Sequence, residues 1–245
     1  MSTVVLKKKM MMMMKSKKTK KKTSNPKNQL SRILIVDDHP AVREGLEARI
    51  AMIPDMEICA AAEDAAEAMK LLRKTHPDIA IVDISLKGGC NGLDLIKRIK
   101  AEDNSVRILV WSMHPDSLYA ERSLRSGALG YINKTHTTSH LLDAIQQVRD
   151  NHIYLSEDTT KRMLQHMVGH IENKTSNTPC EVLSNRELEV FMLIGEGLPT
   201  ARIAERLNIS THTVETHRLR IKSKLDIKSA TELATMATRW LIEHS

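Results

Sequence analysis

The chain has 245 residues, enough for one or two folded domains and few for three. It carries 37 Lys and Arg against 30 Asp and Glu, yet ten of those lysines and no acid lie in residues 1–30, leaving 27 basic and 30 acidic side chains for the rest. The basic excess therefore belongs to a tail, and overall charge alone does not make the folded part a nucleic-acid binder. One Phe, three Tyr and two Trp imply an aliphatic core and exclude an aromatic stacking platform for single strands. Cys59, Cys90 and Cys180 lie far apart without zinc-type spacing, which fits a reduced, cytoplasmic chain. The methionine run at 10–14 is too short for a signal-peptide core or a membrane span, so no membrane association is expected.

Residues 1–30 have a composition that cannot repay the entropy of ordering, and a disordered tail is expected. Two accounts stay open for it: a dispensable extension or early translation start, and nonspecific attraction of its lysines to DNA. From Arg32 onward, short β-branched runs at 33–36, 58–62, 79–82, 108–111 and 130–132 alternate with helical stretches near 41–52, 65–75, 92–102, 116–126 and 138–150. Five continuous apolar strands, each followed by a helix, predict a doubly wound α/β domain with a five-stranded parallel sheet over residues 31–150. Residues 151–181 form a linker with an amphipathic helix near 157–171, followed by the linker-like stretch 172–179. Four helical units at 184–195, 199–207, 211–225 and 229–242 then predict a small all-α domain over 182–245. Ser184 and Glu187 have capping-box spacing for the first unit, which Gly195 and Gly197 should end.

Ligands of an open parallel sheet sit beyond the carboxyl ends of its strands. Those ends carry Asp37 and Asp38, then Asp83, then Ser112, then Lys134. Converging carboxylates repel unless a cation joins them, and oxygen ligation with open water positions suits Mg²⁺. A carboxylate beside Mg²⁺ can attack a phosphoryl group, with a hydroxyl and an ammonium neutralising its oxygens. Any one of these residues alone is more often a turn former, a cap or a solvated charge. Five of them in order at four strand ends are far harder to attribute to chance.

In the second domain, Ile203, Ala204 and Leu207 form the apolar stripe of a short helix, Asn208–Ser210 a turn, and Ser210 the N-cap of a helix with Val214, Ile221 and Leu225 inward. Its other face carries His212, Glu215, Thr216, Leu219 and Lys222, and the local basic cluster comprises Arg218, Arg220, Lys222, Lys224 and Lys228. A charge run on a solvated helix would be the default reading, but the capped turn and the domain around it favour a recognition helix in a major groove.

The blocks Ile-Val-Asp37-Asp38-His39-Pro40, Ile-Val-Asp83-Ile-Ser-Leu-Lys, Leu-Val-Trp-Ser112-Met-His and Gly127-Ala-Leu-Gly-Tyr131-Ile-Asn-Lys134 resemble the signature blocks of a two-component receiver domain. Residues 182–242 resemble the LuxR-type DNA-binding domain, and together the two resemblances imply a NarL/FixJ-type response regulator. They imply Asp83 as phosphoacceptor, Asp38 as direct Mg²⁺ ligand, Asp37 as largely water-mediated, the Ser85 carbonyl as the remaining protein ligand, and Tyr131 as the aromatic switch coupled to Ser112. They imply phosphotransfer from a sensor histidine kinase, a changed surface along the fourth and fifth helices, and binding to double-stranded promoter DNA, with homodimerisation on phosphorylation. His212, Thr213, Glu215, Thr216, Arg218, Leu219, Arg220, Lys222 and Lys224 are the implied DNA-contacting set.

Departures from the pattern are Lys87 where Pro is common, an acceptor loop one residue longer through Gly88–Asn91, His114 at the mouth of the site, Glu215 where a basic residue is common, and Pro199 at a capping position, with Thr200 as its possible substitute. Two alternatives stay open. A phosphohydrolase would want an acid/base Asp where Ser85 stands, and a DNA-binding scaffold would leave the receiver unphosphorylated.

Overall fold

The computed structural model describes residues 30–87, 90–169 and 179–244. The expected tail at 1–29, Gly88 and Gly89 of the acceptor loop, and the linker stretch at 170–178 lie outside them. The strands are β1 (Ser31–Val36), β2 (Met56–Ala62), β3 (Ile79–Val82), β4 (Arg107–Ser112) and β5 (Gly130–Asn133), all parallel, in the order β2-β1-β3-β4-β5. Between and after them run α1 (Pro40–Ile50), α2 (Ala65–Thr75), α3 (Gly92–Glu102), α4 (Asp116–Ser126) and α5 (Thr138–Arg149). Order reverses beside β1 and β3, so the crevice at the carboxyl ends opens there.

Strand alternation divides the core in two. Ile33, Ile35, Ile79, Ile81 and Leu109 face α1 and α5, while Leu34, Val36, Ala80, Val82, Ile108 and Val110 face α2, α3 and α4. All of these side chains are essentially without solvent exposure, and each buried Ile or Leu contributes about 1.5–3 kcal/mol. Local signals set the helix ends: Asp64 accepts from the Glu67 N–H at the start of α2, Asn91 from the Leu93 N–H at the start of α3, and Gly127 at φ 108° closes α4 in the left-handed region.

After α5 the chain does not leave the sheet at once. The Tyr131 N–H donates to the Tyr154 carbonyl and the Tyr154 N–H to that of Leu129, so residues around 154 run along the outer edge of β5. Ser156 then donates to Asp116, and α6 (Glu157–Gly169) packs on α4.

A one-turn helix α7 (Pro179–Val182) leads into α8 (Asn185–Gly195), α9 (Thr200–Arg206), α10 (Thr211–Lys224) and α11 (Ala230–His244). Ser184 and Glu187 form the expected capping box. Gly195 proves to be helical, with Glu196 as C-cap; only Gly197, at φ 80°, has the left-handed backbone that ends the helix. Gly195 is instead a close-approach position, because a Cβ there would lie 2.7 Å from the Ala237 carbonyl of α11. Phe191 and Trp240 meet edge to face at 5.7 Å. The core layer over α3 and α4 runs on without a break into Leu188, Phe191, Met192 and Leu193 of α8, so the helical domain is docked on the receiver. Among the described residues, no helix is long and apolar enough to cross a membrane.

Candidate functional site

Four strand ends bring the predicted residues together. Asp37 and Asp83 are almost wholly buried, and the Lys134 ammonium lies 2.6 Å from Asp37 Oδ2 and 2.6 Å from Asp83 Oδ2, bridging them. Asp83 Oδ1 accepts from the N–H groups of Ile84 at 2.6 Å and Ser85 at 3.4 Å. Ser112 ends β4 with its hydroxyl buried and without a hydrogen-bond partner. Tyr131 is buried, and its hydroxyl donates to the His114 carbonyl at 2.7 Å, which Asn133 Nδ2 also reaches. Ser85 shares a 2.9 Å hydrogen bond with His114 Nε2.

Burial raises the Asp37 pKa above the ordinary carboxylate value, and the Lys134 contacts only partly oppose this. Burial also disfavours the Lys134 ammonium, but Asp83 and Asp37 outweigh it and the amine is held charged. His114 is pushed down to about 4, chiefly by burial; Asp83 opposes the shift, while Arg206 of α9 and Lys134 add to it. It is therefore a neutral imidazole at physiological pH.

The donor set fits a hard divalent cation. Ligand atoms of Asp37, Asp38, His39 and Asp83 lie within 4.8 Å of one another, and three carboxylates there face one ammonium. Asp38 Oδ1 is buried without an aligned donor, although the largely exposed His39 has Nδ1 2.7 Å away. Oxygen ligands in excess negative charge suit Mg²⁺ better than a nitrogen-seeking metal.

The described residues that flank the loop after Asp83 fold back on one another. Ser85 bridges Asn91, and the Gly92 N–H donates to the Ile84 carbonyl at 2.8 Å. A Cβ on Gly92 would lie 2.0 Å from the Asp83 carbonyl oxygen, so only glycine fits where α3 begins.

In the helical domain, Ser210 caps α10 through the Thr213 N–H. Val214 and Ile221 are buried, while His212, Glu215, Leu219, Arg220 and Lys224 are exposed and Thr213, Thr216, Arg218 and Lys222 half-buried. One expectation changes, and a second residue has a partner that the pattern did not show. Thr200 does not cap α9; it sits inside the first turn and donates to Glu215 at 2.7 Å, so Glu215 ties α9 to α10. Lys224 is held 2.6 Å from the buried carboxylate of Glu187, so it also pairs within the helical domain.

Sequence reasoning missed the junction of the two domains. Asn91 Nδ2 donates to Glu189 Oε1 at 2.6 Å, Arg122 donates to Asn185 Oδ1 and the Leu183 carbonyl at 2.8 and 2.7 Å, and the Tyr119 hydroxyl meets Met192 Sδ at 3.6 Å. One signal was available. Residues 190–194, Val-Phe-Met-Leu-Ile, are apolar without a break, and a helical stretch that is apolar all round needs a partner beyond its own small bundle.

Residues 33–146 match the family model of the response regulator receiver domain, and residues 181–237 match that of the bacterial regulatory proteins of the luxR family. The oxygen regulatory protein NreC of Staphylococcus haemolyticus is 36% identical over 210 residues, covering 85% of this chain and 97% of NreC; its Staphylococcus aureus counterpart matches to the same extent. The chain therefore belongs to the two-component response regulators of the NarL/FixJ type, with a receiver and a LuxR-type DNA-binding domain.

Among solved structures, a LuxR-family response regulator from Aurantimonas sp. SI85-9A1 is 35% identical, with a TM-score of 0.53 over 57% of this chain and 99% of that one. The response regulator RcsB of Salmonella typhimurium, 23% identical with a TM-score of 0.61 over 86% of this chain and 98% of its own, shares the fold. RcsB has also been solved on promoter rprA in the presence of phosphomimetic BeF3-; that structure is 24% identical, with a TM-score of 0.57 over 86% of this chain and 99% of its own.

Proposed function

We propose that this response regulator accepts a phosphoryl group on Asp83 from the phosphohistidine of a sensor kinase, and that phosphorylation governs its binding to promoter DNA. The observation that carries this is the pairing of Lys134 with both Asp37 and Asp83 beside the unpartnered Ser112 hydroxyl. A carboxylate oxygen of Asp83 attacks phosphorus, the P–N bond breaks, and the histidine nitrogen leaves with the electron pair and takes a proton. Asp37, Asp38, Asp83 and the Ser85 carbonyl would hold Mg²⁺, which supplies charge neutralisation at the phosphoryl oxygens. Lys134 and Ser112 would receive those oxygens, Lys134 by moving off its carboxylates and Ser112 through its buried hydroxyl beside Tyr131. Tyr131, bonded to the His114 backbone, would carry the change to α4 and α5.

On the DNA side, His212, Thr213, Thr216 and Leu219 are assigned to base edges and Arg218, Arg220 and Lys222 to phosphates. Glu215 combines a base-facing position with its tie to Thr200, and Lys224 belongs to the scaffold through Glu187. We place the active form as a homodimer on paired half-sites, in the cytoplasm, with no catalytic turnover of its own. The receiver unit runs from 31 to about 156, because Tyr154 pairs with β5 and Ser156 with Asp116, and the DNA-binding unit from 182. The test is labelling of the full chain by a small phosphodonor in Mg²⁺, with promoter affinity measured alongside. Asp83→Asn should remove both the label and the donor-dependent change in affinity; a label that persists overturns the assignment.

A further inference from the structure

Several polar groups in the first turns of α10 are already committed. The Thr213 hydroxyl shares a 2.8 Å hydrogen bond with that of Ser210, and the Thr216 hydroxyl donates to the His212 carbonyl at 3.0 Å. Arg218 is turned inward, with 18% of its side chain exposed and Nη1 3.5 Å from the Thr200 hydroxyl oxygen. Glu215 differs from all three. Its Oε1 accepts from the Thr200 hydroxyl at 2.7 Å and lies 3.7 Å from Arg218 Nε, while Oε2 has no hydrogen-bond partner among the described residues and the side chain is 55% exposed. It shares a face with the exposed His212, three residues before it, and the exposed Leu219, four residues after it.

A carboxylate that enters a groove between phosphates loses hydration and meets like charge, so it needs a compensating partner there. Two features of this site lower that cost. The Arg218 guanidinium beside Oε1 offsets part of the negative charge, and the Thr200 bond holds the side chain in one orientation, so less freedom is lost when DNA arrives. The free oxygen is an acceptor only. In a major groove, cytosine offers it the N4 amino donor, whereas guanine and thymine present acceptors and adenine sets its N7 acceptor beside its N6 donor. The base that suits a single, fixed acceptor oxygen is cytosine.

Resting on the placement of α10 in a major groove, we infer that Glu215 is a specificity-determining residue that reads one cytosine in each half-site through Oε2, and that Thr200 of α9 is the positioning residue that aims it. The bond between α9 and α10 is then part of the reading apparatus as well as a tie between two helices.

The experiment uses the full chain with phosphoramidate and Mg²⁺ to select from duplexes randomised across a half-site, then measures affinity for the enriched duplex, its single-base variants and random DNA. The parent should enrich cytosine at one position and bind any other base there about tenfold more weakly. Glu215→Ala should accept all four bases at that position, keep the rest of the motif and bind random DNA at least as tightly as the parent. Glu215→Gln is the sharper variant. Its carbonyl oxygen can keep the Thr200 bond beside Arg218, which only donates, and this leaves an NH2 donor where Oε2 stood. A tie between helices would leave the motif unchanged, whereas the reading role makes cytosine give way to guanine or thymine. Thr200→Val should reduce the cytosine preference about threefold, and Thr200→Ser should retain it. Cytosine kept by Glu215→Ala or Glu215→Gln overturns the reading role, and undiminished discrimination in Thr200→Val overturns the aiming. A parent that enriches no motif overturns the major-groove placement beneath both and is distinguishable from these results.

Discussion

The cleft and the recognition helix achieve function by opposite means. In the cleft, Asp37, Asp83 and Lys134 come from three different strand ends and are mutually bonded in near-complete burial, so each side chain's position is dictated by the others. On α10, the groups assigned to DNA come from one element, stand largely in solvent and make few bonds among themselves. A low dielectric makes every charge in the first region consequential, while solvent screening makes those in the second individually modest and collectively additive. Single substitutions should therefore be all-or-none in one region and graded in the other.

The largest expected effect is the loss of phosphoryl labelling in Asp83→Asn. Next, Lys134→Met removes the ammonium placed to meet developing charge, and labelling by a small donor should slow by about 100-fold; an effect under threefold would break the contrast. On α10, Arg220→Ala should weaken binding to specific and random DNA alike and reduce the salt dependence of affinity by about one counterion, as titrations at several salt concentrations would show. Lys224→Ala sharpens the comparison, because it should leave that salt slope unchanged and instead cost about 1 kcal/mol of stability in denaturant melts, discounted for its exposure, by leaving the buried Glu187 with only its capping bond from the Ser184 N–H.

The smallest effect concerns pH. Burial raises the Glu189 pKa above its ordinary value. The folded state thus binds its proton more tightly than the unfolded chain does, and this group's contribution is fullest in acid and is lost as pH rises through the raised value. Melts of the parent and Glu189→Gln across the acid range should accordingly diverge as pH rises, with the variant gaining relative stability.

The sheet was legible because continuous apolar runs ending in Asp37, Asp83 and Ser112 can be placed by local pattern alone; all five strands and their following helices lie where that pattern puts them. The same locality made Ser184 and Ser210 readable as caps. The bond between Asn91 and Glu189 was not legible, because it joins residues 98 apart whose neighbourhoods each make sense without the other. The partner of Lys224 was hidden for a related reason: a lysine on a basic helix gives no sign of the buried carboxylate of Glu187 beneath it. Asp83 and Lys134 were readable as a pair from their strand ends, whereas the bridging of Asp37 as well needed coordinates.

The residues around Tyr154 bear on how the receiver can be handled as a fragment. Cutting the chain after α5, where the alternating pattern ends, would remove the stretch that pairs with β5 and the Ser156 hydroxyl on Asp116. The bare edge left behind would run along Tyr131 itself and offer unpaired N–H and C=O groups to any passing strand. A truncated receiver of that kind would invite edge-to-edge association through β5 that the covered edge of the longer chain does not offer, and Tyr131 would be read out in an environment of the experimenter's making.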